Sequence, residues 1–431
     1  MFGLSEDFER LHRENKEIRV SIIGVGQMGR ALVAQMVKMK GINPVVIVDH
    51  RAERIVKVLE EIGCTSYERV NSLEEAEAVI ESGKLAIAED DSIATASRFV
   101  EVVIDATGST EGSAKIALSA IENKKHIVLM TVETDVTVGA ILRKKAEENG
   151  VMLTGMAGDE PGAVMELYDF AKTMGLDVLV LGKGKNNPVN YSANPDSARE
   201  EAIGKEMNPY MLASFQDCSK TMIELCAISN ATGFLPDKIG CHGKKADTKT
   251  MLDVYCTKKE GGILDGYGVV DYVEGIAPGV FAIVTTKNEE LKKELKYLSM
   301  GDGPNYLLYR PYHLCSFEVP ITVGRMVLYN RSSLNYCRQK PYSEVVAFAK
   351  RDLHKGESLD RIGGYTVYGV ITAEEDTRKN DYLPVGLVNE NTVMRNDVKM
   401  GEPIRYSDVV LDESSVLVSL RREQDELVYN D

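Results

Sequence analysis

The chain has few of the features that mark secreted, membrane-spanning or zinc-binding proteins. Its seven cysteines form neither a CxxC pair nor a Cys/His spacing, so the sequence predicts no zinc site and no disulfide framework. No run of about 18 apolar residues occurs, which argues against a transmembrane helix. The first 17 residues follow a charged helical pattern without the apolar core of a signal peptide. These absences are typical of a cytoplasmic enzyme.

An excess of positive charge is also missing. The chain has 51 Lys and Arg against 66 Asp and Glu, a formal net charge of −15, and no long basic run. This balance argues against nucleic acids and anionic membranes as partners. A length of 431 residues predicts two or three domains and a sizeable core.

What the sequence does contain is a glycine-rich turn between a strand pattern and a helix pattern. The apolar run 18–23 leads into Gly24, Gly26 and Gly29, and Asp49 lies twenty positions beyond the last glycine. This arrangement is typical of a dinucleotide-binding βαβ unit, whose pyrophosphate rests on a helix N-terminus. The predicted cofactor is NADP or NAD. Its predicted binding residues are Gly24, Gly26, Gln27, Met28, Gly29, Asp49, Arg51, Thr107 and Gly108.

The preference between the two nucleotides stays open at this point. Asp49 can accept hydrogen bonds from the ribose hydroxyls of NAD. Arg51, two residues further on, can instead bind the 2′-phosphate of NADP.

Strand and helix patterns alternate up to residue 155, and they predict an α/β fold that begins with a Rossmann domain. Buried strand patterns end near residues 104 and 130. Because ligands of such sheets bind beyond the carboxyl ends of the strands, the loops after these two strands should border the nicotinamide. Glu133, which follows the second of them, is a candidate acid or base.

Three further segments carry candidate chemistry. In the first, GDEPG, Asp159 and Glu160 can orient substrate hydroxyls or hold Mg²⁺ or Mn²⁺. In the second, GKGKNNP, Lys183 and Lys185 share a face of an extended chain and are candidates for acid–base work or for phosphate binding.

Asn186 and Asn187 follow these lysines as candidate substrate ligands. The third segment, RPYHL, offers Arg310 as an anion ligand and His313 as a reserve acid or base. His126 and His354 rank lower.

The last ninety residues predict a compact β-rich module with a duplicated turn, at 355–357 and 400–403. The predicted domains are a Rossmann domain at 1–155, a catalytic domain at 156–340 and this module at 341–431. Part of 305–340 is a candidate to complete the Rossmann domain.

Taken together, the glycine-rich start and the segments VETDVTVG, GDEPG, GKGKNNP, GFLPD and RPYHL resemble a known family. It is the group of homoserine-dehydrogenase-like oxidoreductases with a C-terminal SAF domain, one branch of which is deoxyxylulose-phosphate-reductoisomerase-like. The resemblance implies an α+β domain for catalysis and homodimerisation, NAD(P) as cofactor and a SAF domain at the C-terminus. Glu133 and Asp135 occupy the region where homoserine dehydrogenases have an Asn-Lys pair, and GDEPG replaces their GGG-x-P loop.

The predicted function is therefore that of an NAD(P)-dependent oxidoreductase acting on a small polyhydroxylated or phosphorylated substrate. Its sharpest form is the reductoisomerisation of 1-deoxy-D-xylulose 5-phosphate to 2-C-methyl-D-erythritol 4-phosphate, a step of isoprenoid biosynthesis. Homoserine dehydrogenase, a sugar-acid dehydrogenase and a non-catalytic NAD(P) sensor are the alternatives.

Overall fold

The structure is a computed structural model that describes residues 3–429, without the side chains of 427–429. The strands are β1 Ile18–Ile23, β2 Ile42–Val48, β3 Tyr67–Arg69, β4 Leu85–Ala88, β5 Val102–Asp105, β6 His126–Leu129, β7 Leu153–Gly155, β8 Asp177–Lys185, β9 Val269–Glu274, β10 Val280–Thr285, β11 Asn305–Arg310, β12 Ser343–Ala349, β13 Val367–Ala373, β14 Val393–Met394 and β15 Val409–Val410.

The helices are α1 Leu4–Arg13, α2 Gln27–Met36, α3 Ala52–Glu61, α4 Leu73–Glu81, α5 Asp91–Ala96, α6 Thr110–Glu122, α7 Val132–Glu148, α8 Glu160–Thr173, α9 Arg199–Gly204, α10 Pro209–Gln216, α11 Ser219–Thr232, α12 Met251–Val254, α13 Glu289–Tyr297, α14 Val319–Tyr329, α15 Glu374–Lys379 and α16 Val416–Tyr429. Short 3₁₀ turns at Lys258–Glu260, Ser316–Glu318, Val385–Leu387 and Tyr406–Asp408 complete the secondary structure of the described residues.

The chain divides into two compact units. Within the described residues, the first unit comprises the chain up to 159, residues 314–335 and residues from 420 onwards. The second unit comprises 160–313 and 336–419. The three-domain division therefore stays a prediction, because the structure groups most of the expected third domain with residues 160–313.

The first unit is built on a seven-stranded parallel sheet with the order β3-β4-β2-β1-β5-β6-β7. Its central strands are runs of Val and Ile buried on both faces, as a parallel sheet covered by helices requires. This confirms the predicted α/β fold with a Rossmann domain. The short edge strand β3 was not anticipated, because residues 67–69 are mostly exposed and lack an apolar pattern.

The second unit contains a four-stranded mixed sheet with the order β11-β10-β8-β9. Strand β8 reads DVLVLGKGK, and its Gly182 and Gly184 face backbone. A Cβ at Gly182 would lie 1.9 Å from the carbonyl oxygen of Asp271, and one at Gly184 would lie 2.3 Å from the nitrogen of Ala277. The glycines are therefore required on that face, and Lys183 and Lys185, which alternate with them, are directed to the other face.

The C-terminal segment packs on helix α11 and contains the predicted duplicated turn. The segments 352–357, DLHKGE, and 397–402, DVKMGE, align without a gap and share their Asp, Gly and Glu. Leu353 and Val398 exchange backbone hydrogen bonds of 2.9 and 3.0 Å. The carboxylate of Asp352 accepts from the backbone N–H of Met400, and that of Asp397 accepts from the N–H of Lys355. The two turns are therefore related by a local pseudo-twofold axis.

Helix α11 explains why the second unit includes this module. Its side chains bond directly to β12 and β13: Asn230 Oδ1 accepts from the N–H of Ser343 at 3.0 Å, and Ser219 Oγ accepts from the N–H of Gly369 at 2.7 Å. Between residues 3 and 429, no helix has both the length and the apolar character needed to cross a membrane.

Candidate active site

The glycine-rich loop between β1 and α2 has the geometry of a nucleotide-binding turn. Gly24 has a φ of +97°, which side chains rarely adopt, and a Cβ on Gly29 would lie 1.9 Å from the carbonyl oxygen of Gly24. A Cβ on Gly26 would meet no atom of the protein within 4 Å. The first and third glycines are therefore needed by the fold, whereas the second leaves open space in front of the helix N-terminus. A dinucleotide pyrophosphate fits this loop.

The carboxylate of Asp49 is engaged on both oxygens within the protein. Oδ2 accepts from the backbone N–H of Val25 at 2.7 Å, and Oδ1 accepts from the N–H of Arg51 at 3.0 Å. Arg54 Nη1 also lies 3.6 Å from Oδ1. Asp49 thus fixes the glycine loop, while the exposed guanidinium of Arg51 has no ion-pair partner among residues 3–429.

A buried carboxylate, Asp105, joins the two loops that should border the nicotinamide. It accepts from both the backbone N–H and the hydroxyl of Thr107, at 3.1 and 2.6 Å, and from the hydroxyl of Thr131 at 2.8 Å. Burial raises the pKa of this carboxyl group. Thr107 and Gly108 therefore lie in a loop that is tied to the loop after β6.

Helix α7 follows β6 directly and carries Glu133 in its first turn, half-buried. The buried Asp135 forms an ion pair with Arg143 of the same helix. His126, at the start of β6, accepts from the N–H of Met152 at 2.9 Å, and burial lowers its pKa. His126 therefore has a structural role.

In the second unit, three charged side chains meet in a buried cluster. Lys183 of β8 forms ion pairs with Glu160 at the start of α8, at 2.5 Å, and with Glu224 of α11. All three side chains are at most 12% exposed. His313 Nε2 lies 3.5 Å from Glu160 Oε1. The structure thus brings together three predicted residues and adds Glu224.

Sequence reasoning missed Glu224, although a signal was present. It is the one acidic residue in the apolar helical stretch TMIELCAI, and it is 1% exposed. A buried acid needs a partner, and Lys183 is that partner.

The protonation states within the cluster follow from its charges. Burial alone would lower the pKa of Lys183, but the carboxylates of Glu160 and Glu224 outweigh it and raise that pKa, so the lysine is an ammonium. Burial and the charge of Glu160 raise the pKa of Glu224. Glu224 therefore takes up a proton more readily than an exposed glutamate.

Lys185, on the same face of β8, has a different environment. Its Nζ donates to the carbonyl oxygen of Phe215 at 2.6 Å, and it has no carboxylate partner among the described residues. Burial and the charge of Lys183 lower its pKa. A buried lysine of this kind can bind an anion, and it gives up its proton more readily than an exposed lysine.

The remaining predicted residues are placed as follows. Arg310 Nη1 pairs with Glu166 at 2.6 Å, Asn186 is exposed and Asn187 is half-buried. Asp159, which ends the N-terminal stretch of the first unit, is buried. The Sγ atom of Cys315 lies 3.9 Å from its Oδ1. His354 is exposed on the C-terminal module.

Two family profiles match the sequence. The family described as "Oxidoreductase DRL, catalytic domain" matches residues 158–319, and the family described as "NADP oxidoreductase coenzyme F420-dependent" matches residues 19–109. No curated protein matches the chain. The first match contains the Glu160–Lys183–Glu224 cluster, and the second contains the glycine loop.

Solved structures resemble the chain only distantly. A probable dehydrogenase from Thermotoga maritima is 14% identical, with 73% of this chain and 90% of that chain covered and a TM-score of 0.39. A scyllo-inositol dehydrogenase from Lactobacillus casei, with bound NAD(H) and scyllo-inositol, is 11% identical, with 74% and 91% covered and a TM-score of 0.42. A UDP-N-acetylglucosamine 3-dehydrogenase from Acidithiobacillus ferrooxidans is 17% identical, with 63% and 66% covered and a TM-score of 0.33.

The two family matches and the glycine loop agree with each other. The chain is an NAD(P)-dependent oxidoreductase with a Rossmann nucleotide-binding domain and a separate oxidoreductase catalytic segment. This confirms the predicted enzyme class and cofactor.

Proposed function

We propose that the chain uses NADP(H) to reduce a small, phosphorylated, polyhydroxylated carbonyl compound. The sharpest form of this proposal is the reductoisomerisation of 1-deoxy-D-xylulose 5-phosphate to 2-C-methyl-D-erythritol 4-phosphate. The observation that carries it is the buried cluster of Glu160, Lys183 and Glu224, because a desolvated ammonium between two carboxylates can polarise a carbonyl and move protons between neighbouring oxygens.

In this mechanism Lys183 acts as a hydrogen-bond donor. Its raised pKa keeps it charged, so it stabilises the negative charge that develops on the substrate oxygen. Glu224, with its raised pKa, is the carboxyl group best suited to hold and return a proton. His313, beside Glu160, is the reserve acid or base. Glu133 is the candidate acid or base near the nicotinamide.

The carboxylates also fit a divalent cation. Mg²⁺ and Mn²⁺ prefer carboxylate oxygens, and an ion held by Glu160 and Glu224 would take the place of the Lys183 ammonium between them. Glu160 and Glu224 would be ligands in the second unit, and Asp159, which precedes Glu160 in the chain, stays the further predicted ligand. When bound, such an ion would polarise adjacent oxygens of the substrate.

The substrate phosphate has two candidate ligands. Lys185 is a buried cation without a carboxylate partner among the described residues, and Arg310 is a guanidinium on β11 whose partner Glu166 is 37% exposed. Asn186 and Asn187, directly after Lys185, are candidate ligands for the hydroxyl groups. A lysine binds phosphate as a point charge, and arginine binds it bidentately.

We infer NADP rather than NAD from the ribose end of the nucleotide site. Both oxygens of Asp49 already accept hydrogen bonds from the protein, which makes this carboxylate a weaker acceptor for ribose hydroxyls. Arg51 is exposed and unpaired within residues 3–429, as a ligand for a 2′-phosphate should be. The homodimer, the SAF identity of 341–431 and the cytoplasmic location stay predictions from the sequence.

The test is NADPH oxidation by the purified protein with 1-deoxy-D-xylulose 5-phosphate, with and without Mg²⁺ or Mn²⁺. Metal-dependent oxidation with formation of 2-C-methyl-D-erythritol 4-phosphate is the expected result. Turnover of homoserine or of a sugar acid instead would show that 1-deoxy-D-xylulose 5-phosphate is not the substrate. Tight NADPH binding without turnover of any of these compounds would favour the non-catalytic sensor.

A further inference from the structure

Helix α7 is broken at Val138, close to the segment that should border the nicotinamide. Val138 has φ −136° and ψ 15°, so residues 132–137 and 139–148 are two helical segments with a kink between them. An unbroken helix would have a hydrogen bond from the N–H of Ile141 to the carbonyl of Thr137. The kink at Val138 lies between these two groups.

The side chain of Gln424, on helix α16, fills this gap. Its Oε1 accepts from the backbone N–H of Ile141 at 3.1 Å, and its Nε2 lies 3.5 Å from the carbonyl oxygen of Thr137. Nη1 of Arg421, one turn earlier on α16, also reaches that carbonyl, at 3.4 Å. Gln424 is 1% exposed. A primary amide offers an acceptor for the N–H of Ile141 and a donor for the carbonyl of Thr137, which explains why a glutamine suits this position.

The two helical segments have different attachments. The second segment is held by Lys145, which pairs with Glu423 of α16 at 2.6 Å. The first segment carries Glu133 and continues directly from the end of β6. The carbonyl of Thr137, the last residue before the kink, links this segment to Gln424 and Arg421 of α16.

We propose that Gln424 is a positioning residue for the nicotinamide end of the cofactor site. By bridging the break it fixes the angle of residues 132–137, and with it the position of Glu133 and of the loop after β6. The claim rests on the proposed function in one respect, that Glu133 acts in the reaction. A side-chain displacement of about 1 Å can cost about a hundredfold in rate, so this bridge is expected to affect turnover.

The first test is hydrogen exchange with and without NADPH, which needs no substrate. NADPH should protect the amides of 131–137 and of 24–29 in the native protein. Gln424→Met, which has similar length but neither donor nor acceptor, should lose the protection of 131–137 and keep that of 24–29. Gln424→Glu, which keeps the acceptor for Ile141, should lose less. The matched control Glu423→Gln removes a neighbouring ion pair and should behave as the native protein.

The second test measures kcat and KM with a substrate that the native enzyme turns over. Gln424→Met should lower kcat at least about tenfold with an unchanged KM for NADPH, and it should have no further effect in a Glu133→Gln background. Protection of 131–137 that survives Gln424→Met would overturn the proposal, as would loss of protection at both sites or an additive effect with Glu133→Gln. Absence of turnover in the native enzyme would remove only the proposed function, because the exchange result stands independently.

Discussion

The ammonium of Lys183 is the shared ion-pair partner of two buried glutamates in the second unit. Two glutamates from different helices converge on it, and each of the three charges is desolvated. Removing one partner from such a group costs about 3–5 kcal/mol, because the others remain buried without compensation.

The variant Lys183→Met should therefore lose both activity and stability. We expect kcat/KM to fall by about 10²- to 10⁴-fold and NADPH binding to persist. The free energy of unfolding should fall by about 3–5 kcal/mol at neutral pH, measured by urea denaturation. Lys183→Met/Glu224→Gln is the control: it should recover part of the stability and none of the activity. Full activity in either variant would contradict the assigned role.

The stability of Lys183→Met should also depend on pH. Because burial and Glu160 raise the folded-state pKa of Glu224 above its unfolded value, the folded state binds more protons than the unfolded state. Stability is then greatest below the ordinary glutamate pKa and is lost as the pH rises through the raised value. A variant that becomes more stable with rising pH over this range would contradict the direction given for Glu224.

Arg51 is the second residue whose role can be tested alone. Arg51→Gln should weaken NADPH binding about tenfold, or ~1.4 kcal/mol, and leave NADH binding unchanged, since only NADPH carries the 2′-phosphate. Calorimetric titration with both nucleotides measures the difference. Arg98→Gln, at an exposed arginine paired with Glu81, is the matched control. An equal loss for both nucleotides would refute the 2′-phosphate assignment.

At the scale of elements, local pattern predicted most of the nucleotide-binding domain. The Val- and Ile-rich runs and the glycine spacing are short-range signals, and they identified β1, β2, β4 and the loop before α2. Contacts such as Lys183–Glu224 could not be predicted, because they join residues 41 positions apart through tertiary packing. The hydrogen bond from the N–H of Val25 to Asp49 could not be predicted for the same reason, and it occupies a carboxylate oxygen that would otherwise be available to the ribose.

The duplicated turn makes a further prediction at this scale. Gly356 and Gly401 occupy equivalent positions, with φ values of +85° and +80° and no neighbouring atom within 4 Å of a Cβ. Gly356→Ala and Gly401→Ala should therefore each lower the free energy of unfolding by about 1–2 kcal/mol, through backbone strain alone. The two losses should be similar. Gly204→Ala, at the end of α9 with equal space and no positive φ, should be neutral or stabilising. Unequal losses of stability for these two variants, measured by thermal denaturation, would argue against the pseudo-twofold axis.

At the scale of the whole molecule, the two units divide the chemistry. The first contains the glycine loop with Asp49 and Asp105, and the second contains the cluster around Lys183. The sequence indicated the glycine loop, Asp49, Glu160 and Lys183 from their motifs, but it did not indicate Glu224 and could not show which carboxylates the lysine meets. It also could not show that residues 336–419 pack with the catalytic segment, since that depends on the buried side chains of α11.

The most direct test of this account is the transfer of deuterium from C4-deuterated NADPH to 1-deoxy-D-xylulose 5-phosphate in the presence of Mg²⁺. The account predicts one deuterium in the 2-C-methyl-D-erythritol 4-phosphate formed, and none with Gly26→Ala, whose new Cβ meets no protein atom and would occupy the space left for the nucleotide. Nucleotide binding by the native protein without labelled product would contradict it. So would label transfer by Lys183→Met at the native rate.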